Sequence, residues 1–323
     1  MNSIFRSIKI ITIFITLFFV ITGCGDENKN KPSAYSTQSK GTIYISVDET
    51  FQPVISEQIK VYESDRPEVK IIAEYKSEAD CFRDLQNDST RMVIVGRGLT
   101  QEEFEGYKNN LGYYPKNFLL AWDAVSVIMN ARSSDSTLTM ESLNAMVTTT
   151  SNIDKALVVD GLNATSTVLY IQDSIAKGKA LGPHVQGVQG SKAVIDYVAN
   201  NVNAIGFVGS SWVGNEYDPE QVAYFGKVKQ ALIENVHDSL GRFVKPSQAT
   251  ISTDLYPFIR PIWAIIKENS TQLGTGFLGF MRGERGQLIF RRANLVPAEM
   301  YFGVRQITVG NNNRDSTDKN NRK

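Results

Sequence analysis

Four short segments carry the side chains best suited to chemistry: Ser46-Val-Asp-Glu-Thr50, Lys76-Ser77, Gly96-Arg97-Gly98 and Gly161-Leu-Asn-Ala-Thr-Ser-Thr167. Each follows an apolar run that reads as a strand and precedes a segment with helical spacing, so each falls on a strand-to-helix loop. Helix N-termini point unsatisfied N–H groups outward and carry partial positive charge. Several of them facing one cleft would hold an oxyanion without a surplus of basic side chains. Taken singly, a Ser or Thr in such a loop caps its own helix, and that reading stands beside the first for each of them. Asp48 and Glu49 add carboxylates to the first loop. A carboxylate faces an oxyanion favourably only when a proton lies between them, so this pair suits a protonated, hydrogen-bond-donating ligand; equally, it complements the dipole of the helix beginning near Phe51. Arg97 is either the cationic partner, between glycines that let backbone approach a ligand, or a solvated loop arginine.

Enzymatic patterns are missing from the chain. It has no Gly-x-Ser-x-Gly elbow, no phosphate-cradling Gly-Lys-Ser/Thr loop and no paired metal motif, so no catalytic residue, cofactor or metal is expected. His184 and His237 are isolated in polar surroundings and read as surface residues. The glycines between Gly274 and Gly286 do not follow a strand in the dinucleotide-binding manner and read as helix boundaries.

The positioning elements alternate. Strands are expected at Thr42–Val47, Val69–Tyr75, Met92–Val95, Phe118–Trp122, Ala124–Met129, Ala156–Val159, Ala204–Val208 and Ile262–Ile266. Between them, Phe51, Val54, Ile55, Ile59 and Tyr62 recur at helical spacing, with Pro53 in the first turn where its missing N–H does no harm. Ser77 is placed to cap Glu78–Leu85, Thr100 opens a capping box with Glu103, Thr139 caps Met140–Val147, and a helix starts near Thr165. Further helices are expected at Ala193–Val198, Phe277–Met281 and Gln287–Arg291. Strands alternating with helices imply an α/β fold with parallel sheet character.

At the N-terminus, Arg6 and Lys9 precede an apolar run from Ile10 to Ile21, followed by Thr22-Gly23-Cys24. The run is too short for a membrane span of about 20 residues and fits a secretory signal. Small residues running into a cysteine resemble a bacterial lipoprotein signal, in which Cys24 is lipidated, with palmitate as the expected acyl group, and becomes the first mature residue. The alternative is an ordinary signal peptide with a chance cysteine nearby. Loss of Arg6 and Lys9 with the signal leaves 32 Lys+Arg against 34 Asp+Glu, a net charge of −2. That balance argues against nucleic acid and against polybasic attachment to anionic lipid. With Cys24 lipidated, Cys81 has no intrachain partner, and the fold must rest on its core. Residues 25–40 are polar and read as a tether, and Gly310 to Lys323 as a disordered tail.

These residues, in this order, resemble a family. The progression from Gly41-Thr-Ile-Tyr-Ile-Ser46 through Lys76-Ser77 to Val93-Ile-Val-Gly-Arg-Gly-Leu-Thr100 is similar to the first lobe of the phosphate-binding lipoproteins of ABC importers, type II periplasmic binding proteins. The likeness continues through Trp122-Asp123-Ala-Val-Ser-Val-Ile-Met-Asn130, Asn163-Ala-Thr-Ser-Thr167, Asn203-Ala-Ile-Gly-Phe-Val-Gly209, Tyr256-Pro-Phe-Ile-Arg-Pro261 and Phe277-Leu-Gly-Phe-Met-Arg-Gly-Glu-Arg-Gly-Gln287. It implies two lobes with a hinge and an interlobe ligand cleft: signal 1–23, tether 24–40, first lobe 41–123 and 216–309, second lobe 124–215, tail 310–323. It also implies a ligand set of Asp48, Glu49, Thr50, Ser77, Arg97, Gly98, Asn163, Thr165, Ser166 and Thr167.

The expected role is that of a monomeric, non-enzymatic envelope lipoprotein. It would capture phosphate or a related oxyanion and deliver it to a membrane permease, from the periplasmic side or, given Asp26-Glu27 beside the anchor, at the cell surface. Two departures stand out. The family's Asp before its Ser-Arg loop aligns with Arg91 or Met92, and its Arg after the Ser-Thr loop is replaced by Val168 and Leu169. An envelope adaptor or sensory lipoprotein that keeps the fold but has lost phosphate binding is therefore the alternative, and a hydrolase is a third, for which no nucleophile and base are evident.

Overall fold

The computed structural model describes residues 37–299 apart from 112–113, 152, 162–164, 236–239 and 269–270. Cys24 and the expected tail at 310–323 lie outside the described residues.

Runs of branched aliphatic residues build one long mixed sheet. Its strands are β1 (Gly41–Asp48), β2 (Val69–Lys76), β3 (Thr90–Val95), β4 (Lys116–Asn130), β6 (Ala156–Val159), β7 (Val185–Gly187), β8 (Ala204–Gly209), β9 (Val228–Gln230), β12 (Ile259–Ile266) and β13 (Val296–Pro297). A small separate sheet joins β5 (Thr137–Leu138), β10 (Leu232–Glu234) and β11 (Phe243–Val244). The main order is β2-β1-β3-β12-β4-β8-β6-β7, with β9 and β13 also on β4. Parallel pairing holds at β1–β2, β1–β3, β6–β8 and β6–β7; β12 runs antiparallel to both β3 and β4, and β4 antiparallel to β8.

β4 is what makes two lobes from one sheet. Its first part, Lys116 to Ala124, pairs with β12, and its second, from Val125, pairs with β8 and β9. At about 3.3 Å per residue such a strand spans roughly 50 Å, long enough to enter two cores. The expectation of two strands, split at Asp123, is corrected here: Asp123 is fully buried within one continuous strand. A lone acid in an apolar run looks like a break in the sequence, but an ion pair lets it stay inside.

Helices cover the faces. In order they are α1 (Gln52–Ser64), α2 (Glu78–Asp84), α3 (Gln101–Leu111), α4 (Met140–Thr148), α5 (Ser166–Tyr170), α6 (Gly190–Asn200), α7 (Pro219–Val222), α8 (Gln248–Ser252), α9 (Leu273–Arg282) and α10 (Glu284–Arg292). Helix α1 lays Val54, Ile55 and Tyr62 against Ile43, Ile45 and Val47 of β1, and the Tyr62 ring meets Phe277 and Phe280 of α9 at 5.2 and 5.3 Å. Each such fully buried aliphatic or aromatic side chain contributes roughly 1.5–3 kcal/mol, so a core of this kind needs no disulfide. Cys81 is a buried free thiol among Leu85, Val93, Val95 and Ile265.

The second lobe has its own core, of Val125, Val127, Leu143, Leu157, Ile171 and Phe207 on one face of the sheet and Ile128, Val158, Val194 and Val208 on the other. Val228, Ala231, Ile233, Ile251, Tyr256 and Phe258 pack into these same clusters. Second-lobe packing thus runs on past residue 216, where the return to the first lobe was expected, and first-lobe packing resumes in β12 with Ile262. The reason is that β9 joins the distal half of β4 and β10 carries Ile233 onto that face.

Candidate functional site

Strand ends bring the site together. β1 ends at Asp48, and the chain turns through a 3₁₀ segment, Glu49–Phe51, into α1. The start of α5, with its N-cap Thr165, presents Ser166 and Thr167 from the second lobe. Between them β4 and β12 place Asp123 and Arg260, which face each other in register. Asp48, Thr50, Asp123, Asp160, Thr165, Ser166, Thr167 and Arg260 are all buried.

Arg260 is the centre of this group. Its Nε and Nη2 donate to Asp123 Oδ2 at 3.0 and 2.9 Å. Nη1 donates to the Ser166 and Thr167 hydroxyls at 2.9 and 3.1 Å, and Nη2 also reaches Thr50 Oγ1 at 3.2 Å. Burial works against the guanidinium charge, but Asp123, Asp48 and Asp160 outweigh it and hold its pKa above the ordinary value. The Phe51 ring lies 4.8 Å from the guanidinium carbon. The Thr50 and Ser166 hydroxyls, one from each lobe, are 3.0 Å apart.

Asp48 joins the lobes through backbone. Its Oδ1 accepts the Thr50 N–H and its Oδ2 the Ser166 N–H, each at 2.9 Å. Within the first lobe, Glu78 ties down the third loop, accepting the Gly96 N–H at 2.6 Å. Asp160, at the end of β6, accepts from the Thr165 hydroxyl at 2.8 Å and from Ser191 at 3.1 Å.

The cleft is acidic. Burial, with the Asp48 charge, raises the Glu78 pKa to about 7, against the opposing Gly96 N–H and the Arg97 and Arg260 charges. Burial, then Asp160 and Asp48, raises Glu49 to about 7, and burial followed by Asp48 raises Asp160 to about 6. Carboxylates held so near neutrality can donate a hydrogen bond as well as accept one. Among the described residues no group of three or more His, Cys, Asp or Glu side chains could hold a metal ion, and no helix is long and apolar enough to cross a membrane.

The ligand residues expected from the sequence divide into two sets. Asp48, Thr50, Ser166 and Thr167 meet around Arg260. Thr165 both caps α5, accepting the Val168 N–H, and holds Asp160. Glu49 and Ser77 line an interlobe cavity of about 400 Å³ at the edge of this cluster, with Lys76, Asp160, Thr165, Gln189 and Gly190. Ser77 also caps α2, accepting from the Asp80 N–H.

Arg97 and Gly98 do not join the cluster. Arg97 is 44 % exposed, forked onto Glu103 with two bonds of 2.8 Å and stacked 4.0 Å from Phe82, so the expectation that it is the site's cation is corrected: Arg260 is the cation there. Gly98 sits against Asn117 and Trp263. Asn163 lies outside the described residues. Another cavity, of about 360 Å³, is lined by Pro53, Glu57, Ser211 and Arg292 among others and does not include Arg260.

Arg260 and Asp123 escaped the sequence reading as site residues. A signal existed: each is a charge inside an apolar run, Ile259-Arg260-Pro261-Ile262 and Trp122-Asp123-Ala124, and charges so placed are stable only when paired.

Comparison with known proteins agrees with this architecture. A family model for the PBP superfamily domain matches residues 32–285. No curated protein matches the sequence. Among solved structures, the chain is similar to a protein described as a phosphate ABC transporter substrate-binding protein with bound phosphate from Clostridium perfringens, at 20% identity and a TM-score of 0.65 over 80% of this chain and 99% of that one. It is similar to an ABC-type phosphate transport receptor from Vibrio cholerae, at 17% identity and a TM-score of 0.58 over 80% and 100%. The regulatory domain of a LysR family regulator from N. meningitidis has the fold too, at 14% identity and a TM-score of 0.50 over 79% and 97%. At these identities the structures speak for the fold alone, whereas the family model spans most of the chain. With two lobes around a shared β4 and the loops of both meeting at one buried guanidinium, this chain belongs to the PBP (periplasmic binding protein) superfamily.

Proposed function

We propose that this protein is the lipid-anchored solute-binding component of an ABC importer, which captures phosphate or a related protonated oxyanion between its lobes and delivers it to a membrane permease. The observation that carries this reading is the convergence of hydroxyls from both lobes, Thr50 on one side and Ser166 and Thr167 on the other, on the Arg260 guanidinium. Charge-assisted donors of this kind match the acceptor oxygens of an oxyanion. Donors from both lobes reach one ligand only when the cleft is shut, so binding favours closure. The acids around Arg260 oppose a fully ionised dianion and favour a ligand that carries its own proton. No bond is made or broken in this role. The Cys24 anchor keeps a monomeric carrier close to its permease on the envelope face of a bacterial membrane. Calorimetry of the mature chain with phosphate, and with sulfate as an oxyanion that carries no proton, tests the reading: micromolar binding of phosphate is expected, and silence at millimolar concentration ends it.

A second reading draws on a different observation. The N–H groups of Thr50, Ser166 and Gly96 are already bonded to Asp48 and Glu78, so these donors are taken by the chain's own side chains. On this reading the chain is an envelope adaptor or sensor that has kept the fold and lost phosphate binding. It predicts no anion in the purified protein and a co-purifying envelope partner other than a permease.

A further inference from the structure

We infer that Asp48 is the cleft's built-in anion: its carboxylate closes the lobes in the absence of solute and competes with solute for the same N–H donors. The inference rests on the reading of this cleft as an oxyanion site. Asp48 is fully buried, and its two oxygens are divided between the lobes, Oδ1 on the Thr50 N–H and Oδ2 on the Ser166 N–H, both at 2.9 Å. The first bond is local and would form in any Asx turn. The second spans 118 residues and exists only when the lobes meet.

Thr50 and Ser166 are two of the positions that the resemblance assigns to solute. An N–H directs its proton at one strong acceptor, so a solute oxygen and Asp48 exclude each other there. The lobes touch closely beside this bond: a Cβ added at Gly96 of the first lobe would lie 2.9 Å from Ser166 Cβ. Arg260 is hydrogen-bonded to Asp123 within the hinge strands, and its other hydrogen bonds go to the Thr50, Ser166 and Thr167 hydroxyls, so the contested donors are the two N–H groups. If the self-bound form outnumbers the free form about ten to one, the apparent solute affinity falls about tenfold. Asp48 then sets a threshold concentration as well as a preference for ligands that can displace a carboxylate.

The test uses the full mature chain carrying Cys24→Ser, with aspartate at position 48 and as Asp48→Ser and Asp48→Asn. Small-angle scattering without solute and titration with inorganic phosphate are read for each. The expected result is a compact chain whose scattering phosphate does not change when Asp48 is present. For Asp48→Ser, the solute-free radius of gyration should be larger, phosphate should restore the compact form, and binding should be at least tenfold tighter. Asp48→Asn keeps the shape and one accepting oxygen; it should fall between the two, and it carries the test should the serine variant fail to fold.

Identical solute-free scattering from all three overturns the inference. Phosphate binding that is present with Asp48 and lost in both variants also overturns it, while leaving the oxyanion reading intact. An expanded serine variant that binds no oxyanion leaves Asp48 as the closing group and removes the phosphate reading instead.

Discussion

Arg260 and Asp123 face each other across β12 and β4, and both Nε and Nη2 of the arginine donate to the same carboxylate oxygen, Oδ2. The other oxygen, Oδ1, accepts the Ser210 N–H at 3.1 Å. The pair sits where β4 passes from one lobe to the other, next to Ala124 and Val125, at which its partner strand changes. A positive charge is thereby fixed at the hinge, and the lobes bring their hydroxyls to it.

Removing one partner of a buried pair leaves the other unpaired, which costs about 3–5 kcal/mol. Arg260→Met should lose stability of that order in urea denaturation, and Asp123→Leu should do likewise. The double variant should be more stable than the sum of the two losses implies. A double-mutant cycle showing additive losses would contradict the geometry.

The raised carboxylates set a direction for stability with pH. Glu49 and Glu78 keep their protons to about pH 7 in the folded chain, and Asp160 to about pH 6, whereas ordinary values are 4.5 and 3.8. Between those limits the folded state binds more protons than the unfolded one, so the contribution of these groups is complete near pH 4 and is lost as pH rises to 7. Thermal melts from pH 4.5 to 8 should therefore show a decline that is shallower in Glu78→Gln than in the native chain. A variant curve parallel to the native one would rule out Glu78 as a source of that decline.

Gly96 is required by proximity. Its φ lies outside the left-handed region, so alanine fits its backbone, but the added Cβ would stand 2.9 Å from Ser166 Cβ and 3.0 Å from Glu78 Oε2. Cβ of Ser166 cannot swing aside as a chain end could, so Gly96→Ala should separate the lobes. Small-angle scattering should report a larger radius of gyration with helix content unchanged; an unaltered radius would refute the close contact.

Cys24 is tested in cells. With Cys24→Ser, incorporation of labelled palmitate should vanish and the protein should move from the membrane to the soluble envelope fraction. Label retained on the variant would place the lipid elsewhere.

Much of this molecule could be read from order along the chain. Local interactions repeat local patterns, so caps at Ser77, Thr139 and Thr165, whose acceptors lie three residues from their donors, were legible. So were the apolar runs of β1, β3, β6 and β8, which are buried because the sheet is covered on both faces. The fate of Arg97 was half legible: Glu103 was visible as the fourth residue of a capping box beginning at Thr100, and the same carboxylate that reaches back to the Thr100 N–H also holds the arginine.

What the chain order did not disclose was every relation between distant charges. Asp123 looked like the end of one strand and the start of another, because nothing near it neutralises it; its partner is 137 residues away. Ser166 looked like a donor awaiting a solute, and the tertiary fold presents it instead to Asp48. The sequence by itself determined the superfamily and the two-lobed plan, and it offered four strand-to-helix loops, one of which turns its arginine away onto Glu103. Only the tertiary structure decided which cation serves the site and which anion already stands in it, because a buried charge is tolerated only where a distant partner comes within hydrogen-bonding reach.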